Sequence, residues 1–377
     1  MSLDARWRRL AEEMGNEGCW PTDSPWVRAA MDTAPRHRFA PERVWEWEAT
    51  QWVPVDRSLS PERWAAAVYG GPYDSTVTQV EDGLPSSSLS CPSVVADMLD
   101  SLVVEPGHLV LELGTGSGWN AALLALRAGS DRVTSVEVDP RLAAEAAKRL
   151  TDAGLGVTVQ AGDGALGWPD GAPYDRLIAT YAVDRVPWAW VRQTRPGGRI
   201  VTPWGRLGHV ALTVAEDGGS ASGWVQGLAT FMPSRGVDQG RAFHEVRRRA
   251  EEAGTEEPFA RSAAPLSDPS LQFALRVQLP DVRVATRSAG KLGTAWLHDG
   301  HTSWALLTDH PDGRTTVAHG GPRRLDTEVT LGWDRWEREG SPSLYDFGMT
   351  RTEHDQWIWS DHNGIRRRWD PHPAESR

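Results

Sequence analysis

Hydrophobic and polar positions fall into two different rhythms along this chain. Between residues 110 and 180 short apolar runs alternate with helix-forming stretches: Val110-Leu111-Glu112-Leu113, then Ala121 to Ala128, then Arg132 to Asp139, Val157 to Gln160 and Tyr174 to Thr180. Strand, helix and strand in repetition predict a doubly wound parallel sheet, an α/β fold that binds its ligand at the carboxyl ends of the strands. After residue 236 the pattern changes. Leu271, Phe273, Leu275, Val277 and Leu279 alternate with other residues before Pro280, which predicts a half-buried strand. Further short runs occupy residues 294–307, 314–319, 328–333 and 356–359, and the pairs Asp299-Gly300, Asp312-Gly313 and Asn363-Gly364 supply turns. Residues 265–365 therefore read as a mostly antiparallel β unit, joined to the first part by a polar, helix-like stretch from Ala242 to Ala253. The chain divides into residues 1–236 and a smaller, mostly β region, residues 237–377, long enough for a core of its own.

Composition narrows the function. No run of about 18 apolar residues exists to span a membrane, and the N-terminus lacks the apolar segment of a secretory signal. Cys19 and Cys91 are the two cysteines, too few for a disulfide framework or a metal site. A cytoplasmic protein without a metal is expected. With 51 Asp and Glu against 40 Lys and Arg, the net charge of −11 argues against nucleic acid as a partner. The clusters Arg247 to Arg249 and Arg366 to Arg368 read as solvated faces. His209, His298, His301 and His354 show no metal-ligand spacing and read as structural. Of the 20 tryptophans, most are expected in cores. Of the N-terminal tryptophans, Trp52 and Trp64 are the nearest in sequence to a candidate acceptor segment and are candidates for a peptide groove.

The candidate chemistry begins where the first strand ends. Gly114, Gly116 and Gly118, with Thr115 and Ser117 between them, form a turn that lets backbone approach a ligand, because glycine takes positive φ at no steric cost. The following helix, with Asn120 at its start, points its N-terminus into the turn and favours an electronegative ligand. Glu137, followed by Val138, stands 23 positions after Gly114, where an acid commonly takes ribose hydroxyls. Asp163, between Gly162 and Gly164, suits an adenine amino group, and Thr180 closes the fourth strand. Glu112 precedes the glycines and reads as an acid that ties the turn by hydrogen bonds.

Leu111 to Gly118 resembles motif I of class I methyltransferases, in which the acid precedes the glycines. Val27 to Glu42, Gly116 to Ala125, Gly162-Asp163-Gly164, Ala172 to Arg176, Arg195 to Pro203 and Ala229 to Pro233 resemble the protein-L-isoaspartate O-methyltransferases. The resemblance spans residues 1–236 and implies a Rossmann-like class I fold with N-terminal helices, S-adenosyl-L-methionine as donor and S-adenosyl-L-homocysteine as product. Ser88-Leu89-Ser90-Cys91-Pro92 matches the acceptor segment of that family. By this resemblance Ser90 is the active-site serine, Ser88, Leu89 and Cys91 contact substrate, and Cys91 replaces the usual glutamine.

Thr78 to Ser87 is similar instead to the loop and serine run of relatives encoded with ribosomally made peptides: lanthipeptides, lasso peptides and graspetides. Together with the extra C-terminal region, this implies methylation of an aspartate in a modified, macrocyclic precursor peptide, ending at aspartimide or isoaspartate. General repair of isoaspartate is the alternative, and a binding protein that kept a cofactor fold is a third. The chemistry needs no base, since an aspartate with a pKa of about 3.9 is ionised at neutral pH.

Overall fold

The computed structural model describes residues 1–238, 240–250, 256–290 and 292–371. An N-terminal layer comprises α1 (Leu3–Asn16), α2 (Trp26–Thr33), β1 (Arg43–Glu48), β2 (Gln51–Asp56), α3 (Pro61–Val68), β3 (Thr76–Glu81), β4 (Leu84–Leu89) and α4 (Pro92–Leu102). Its four strands make an antiparallel sheet in the order β2-β1-β3-β4. The segment expected as a loop and serine run is here a hairpin of β3 and β4, closed by Asp82 and Gly83 at φ of 49° and 78°. Two consecutive left-handed residues give the turn the twist that matches its strands.

The α/β core follows in β5 (Val110–Leu113), α5 (Trp119–Ala128), β6 (Val133–Glu137), α6 (Pro140–Asp152), β7 (Val157–Ala161), β8 (Tyr174–Ala179), α7 (Trp188–Gln193), β9 (Thr194–Trp204), β10 (Gly208–Val214) and β11 (Ser220–Leu228). All four residues of β5 are buried, as a strand covered on both faces requires. It pairs in parallel with β6 on one side and β8 on the other, so the connections leave it in opposite directions. That switch point opens a crevice at its carboxyl end. The doubly wound sheet expected from the apolar runs is present.

The remaining chain forms α8 (Phe243–Arg249), β12 (Glu257–Phe259), α9 (Pro269–Gln278), β13 (Arg283–Ala289), β14 (Leu292–His298), β15 (Trp304–Asp309), β16 (Thr315–Gly320), α10 (Leu325–Arg338), β17 (Phe347–Thr352), β18 (Gln356–His362) and β19 (Ile365–Trp369). Residues 251–253 of the expected helix-like stretch lie outside the described residues. An antiparallel five-stranded sheet, β12-β16-β15-β14-β13, carries its own core with α9 and α10, and the three expected turn pairs sit between its strands or between β18 and β19. The last three strands do something else. β17 pairs with β11, and the main sheet continues through ten strands in the order β19-β18-β17-β11-β10-β9-β8-β5-β6-β7. Residues from both sides of position 236 thus share one sheet.

Two expected strands are helices. Leu271, Leu275 and Leu279 belong to the C-terminal core, whereas Phe273, Ala274 and Val277 pack into the core of the main sheet. Two i, i+4 series on opposite faces, offset by two positions, read as alternation in sequence although the segment is α9, wedged between two cores. The Asp268 carboxylate accepts from the Ser270 and Leu271 amides at 2.9 Å each and Pro269 opens the helix. Residues 328–333 lie within α10, whose Leu325, Val329 and Trp333 form one buried face. A six-residue window was too short to show that spacing.

Trp369 is 1% exposed, packs on Phe347 and donates to Ser360 Oγ at 2.9 Å. Trp369→Ala should therefore lower the unfolding free energy of the full chain by about 3–5 kcal/mol in denaturant titration. A loss below about 1 kcal/mol would show that the last strand is a loosely held appendage.

Candidate active site

A cleft of about 760 Å³ opens at the carboxyl ends of the parallel strands. One wall is made by Gly114, Thr115, Gly116, Ser117, Asn120, Glu137, Val138, Asp163, Gly164 and Thr180, and the facing wall by Ser88, Leu89, Ser90 and Cys91. Fourteen of the seventeen residues expected from sequence are thus brought to one cavity. Glu112, Gly118 and Gly162 do not line it. Gly118 instead caps α5 at φ 90°, with the site of a Cβ already 3.4 Å from Ala146 and Leu150 of α6. Gly162 is backed by Trp168 and Val136.

The glycine turn is tied down by hydrogen bonds. Glu137 accepts from the Gly116 amide at 2.9 Å through one carboxylate oxygen and from the Asp139 amide at 3.1 Å through the other. A carboxylate offers about four acceptor sites, so two remain for hydroxyl donors in the cleft. Thr180 Oγ1 donates to the Gly114 carbonyl at 2.6 Å, and a Cβ on Gly114 would lie 2.4 Å from that oxygen. Only glycine fits there, at φ 94°.

Glu112 is fully buried beneath the turn. Its carboxyl takes a hydrogen bond from Asn120 Nδ2 at 2.8 Å and a close one from Ser135 Oγ, whose neighbour Thr115 Oγ1 lies at 2.6 Å. Burial pushes the Glu112 carboxyl up to about 7, with the two bonds pulling it down and the negative charge of Glu137 adding to the rise.

The facing wall rests on a residue that sequence reasoning did not single out. Arg36, fully buried, donates from Nη2 to the Leu89 and Ser90 carbonyls at 3.2 Å each, and its guanidinium lies 5.5 Å from the Trp119 ring at the start of α5. Burial lowers its pKa to about 10, so it stays cationic at neutral pH. One buried cation therefore spaces the Ser90 strand end from the cofactor-side helix. Among the described residues Ser90 Oγ has no hydrogen-bond partner. Its place in the signature Pro35-Arg36-His37-Arg38 was the available signal for Arg36.

Other cleft residues were also missed. Tyr73, Tyr181, Asp184, Arg185, Phe231 and Arg235 are among the further lining residues. Arg235 Nη2 donates to Gln79 Oε1 at 2.9 Å, and Gln79 Nε2 donates to Asp139 Oδ2 at 3.1 Å, so the hairpin is strapped to the glycine-loop side of the cleft. Asp139 is raised by burial but more strongly lowered by Gln79 and the Arg141 and Leu142 amides, and ends below its usual value. Of the two expected groove tryptophans, Trp64 is fully buried core and Trp52 is half-buried on β2; neither lines the cleft, whereas Trp119 does. No group of three or more His, Cys, Asp or Glu is placed to hold a metal among the described residues. Nor is any described helix long and apolar enough to cross a membrane.

Native Glu112 keeps its proton to about pH 7, whereas a free glutamate loses it near 4.5. Folding then takes up a proton in that window, and stabilisation present below pH 4.5 is lost as pH rises to 7. Glu112→Gln does not titrate. Its stability relative to the parent, measured by denaturant unfolding, should improve by about 3 kcal/mol between those pH values. Parallel curves would show that Glu112 is ionised in the folded protein.

Residues 6–233, more than half of the chain, match the model of the protein-L-isoaspartate(D-aspartate) O-methyltransferase family. The chain is 44% identical over 167 residues to a protein-L-isoaspartate O-methyltransferase of Anaeromyxobacter dehalogenans, covering 44% of this chain and 73% of that one. It is 42% identical over 205 residues to one of Pyrococcus horikoshii, covering 54% and 79%. A solved protein-L-isoaspartate O-methyltransferase superposes with a TM-score of 0.52 at 21% identity, over 93% of this chain and 98% of its own. The family match ends at residue 233, so the C-terminal region lies beyond it. The chain belongs to the protein-L-isoaspartate O-methyltransferase family, S-adenosylmethionine-dependent enzymes of class I fold that methylate carboxyl groups of proteins and peptides.

Proposed function

We propose that this protein methylates the free carboxylate of isoaspartyl residues in proteins or peptides, with Ser90 orienting the acceptor. The observation that carries the proposal is the facing of two walls across one cleft: the glycine turn with Glu137 on one side, and the Ser90 strand end, held by Arg36, on the other. The donor set fits S-adenosylmethionine, since Glu137 has acceptor capacity left for ribose hydroxyls and Asp163 stands exposed at the rim for an amino group. When bound, that cofactor supplies a methyl already activated by its sulfonium.

The chain's part is placement. Ser90 Oγ donates to one acceptor oxygen and leaves the other free to attack. Leu89, Val94, Val95 and Phe231 give this end of the cleft an apolar lining that keeps water from the reacting groups. No base is needed, because the acceptor is ionised at pH 7. An in-line approach held by the walls converts binding into rate.

A second reading, methylation of an ordinary aspartate in a constrained ribosomal precursor peptide, draws support from the serine run. Ser86, Ser87 and Ser88 line the cleft beside Cys91, and Ser86 Oγ donates to Gln79 Oε1 at 3.0 Å. The two readings separate on substrate. Full-length protein and S-adenosylmethionine are offered matched linear isoaspartyl and aspartyl peptides and a macrocyclic aspartyl peptide, and ester formation is followed by mass spectrometry. Methylation of the linear isoaspartyl peptide supports the first reading. Exclusive use of the macrocycle, followed by methanol loss to aspartimide, would replace it by the second.

Two substitutions test the walls. Ser90→Ala should leave S-adenosylhomocysteine binding intact by calorimetry while lowering kcat/KM at least about tenfold, the cost of one hydrogen bond to a charged acceptor. Parallel loss of both would move Ser90 to the cofactor side. Glu137→Ala should weaken S-adenosylhomocysteine by about 1.5–3 kcal/mol. Unchanged affinity would mean that another acid, with Asp139 the first candidate, holds the ribose.

A further inference from the structure

The segment between β8 and α7 runs along the cleft. Tyr181, Val183, Asp184, Arg185 and Pro187 line it. The near end of the segment is held from within the family-matched part. The Ala182 amide donates to the Met232 carbonyl at 2.8 Å, the Gly205 amide to the Val183 carbonyl at 3.0 Å, and Trp204 Nε1 to the Asp184 carbonyl at 3.0 Å.

The far end is held from the other region. Gln356, the first residue of β18, donates from Nε2 to the Asp184 carbonyl at 2.9 Å and accepts from the Val186 amide at Oε1, 2.8 Å. Arg351 of β17, 4% exposed, donates from Nε to the Val186 carbonyl at 2.6 Å. Arg276 of α9, 6% exposed, donates from Nη2 to Asp184 Oδ1 at 2.8 Å, and Arg185 closes onto the His354 carbonyl. A primary amide presents a donor and an acceptor side by side, as a neighbouring strand would. Gln356 therefore substitutes for a strand partner that residues 184–186 lack. Val186 is fully buried, so its amide and carbonyl are shielded from water and depend on Gln356 and Arg351, whereas the Asp184 carbonyl lies at the exposed edge of the segment.

We infer that the region after residue 255 builds the acceptor end of the cleft, with Gln356 and Arg351 as positioning residues that fix residues 184–187. The inference rests on the reading of the cleft as the methyl-transfer site. Its chemistry is positional: neither side chain lines the cleft, and both act through the backbone that carries Asp184 and Arg185. A wall set by this hairpin makes acceptance of a peptide depend on the C-terminal region, while the cofactor wall, built from residues 114–180, is independent of it.

The test uses the full-length protein and compares Gln356→Ala with Gln356→Glu, which keeps the acceptor for the Val186 amide and loses the donor to Asp184. Calorimetry reads S-adenosylhomocysteine binding, steady-state kinetics read KM and kcat for a linear isoaspartyl peptide, and hydrogen exchange reads the amides of residues 182–186. Gln356→Ala should raise KM roughly tenfold, the ratio expected for the net loss of two hydrogen bonds, one part-buried and one exposed. Cofactor affinity should be unchanged, protection at residues 184–186, the Val186 amide above all, should fall, and Gln356→Glu should recover part of both losses. Unchanged KM with unchanged protection overturns the inference, as does a loss of cofactor affinity in step with KM, which marks general destabilisation. If the parent protein methylates no isoaspartyl peptide, the functional reading fails, and exchange at residues 184–186 still decides whether Gln356 holds the wall.

Discussion

The site depends on a carboxylate at the end of one parallel strand accepting an amide from the glycine turn at the end of the next. Glu137 reaches from β6 to the Gly116 amide, and in doing so fixes a turn whose glycines have no side chains to hold them. The constraint is steric as well as polar, because Gly114 lies against Thr180 with no room for a Cβ and Gly118 holds a positive φ against α6. Beneath the turn, Glu112 joins Asn120 and Ser135, so the strand, the following helix and the neighbouring strand are locked through one buried carboxyl. A site built on strand ends and a helix start is held more precisely than one on free loops.

The opposite wall is assembled from distant chain. Arg36 comes from the N-terminal layer, Ser90 from the end of a hairpin, and residues 184–187 are gripped by β17 and β18. The main sheet makes this possible: by pairing β17 with β11 it carries the C-terminal hairpin to the edge of the cleft. The strand pairing joins the C-terminal region to the sheet that carries the site. Its service to the acceptor end offers a physical reason for keeping it.

Much of the cofactor wall was legible in sequence, because each of its parts is local. Val110 to Leu113 is apolar but for Glu112 and runs into glycines, and the second acid follows at a fixed interval, so strand, turn and acid could be read without knowing the fold. The two mistaken strands failed for a definable reason. α9 is buried on two faces by two different cores, and its paired i, i+4 series mimic the period of a strand. Arg36 and Gln356 were invisible for another reason, since their roles arise from contacts across 54 and 170 residues. The tryptophans near the acceptor segment misled because closeness in sequence did not become closeness to the cleft. Trp64 went to the core and Trp119, from the cofactor-side helix, took the lining position.

The central claim is that one cleft holds donor and acceptor between the Glu137 wall and the Ser90 wall. A crystal structure of the full-length protein with S-adenosylhomocysteine and an isoaspartyl peptide tests it most directly. The account predicts ribose hydroxyls on Glu137, the thioether beside the glycine turn, and the peptide carboxylate hydrogen-bonded to Ser90 Oγ with residues 184–187 against the peptide. A cofactor seated away from the glycine turn, or a carboxylate bound out of reach of Ser90, would contradict it.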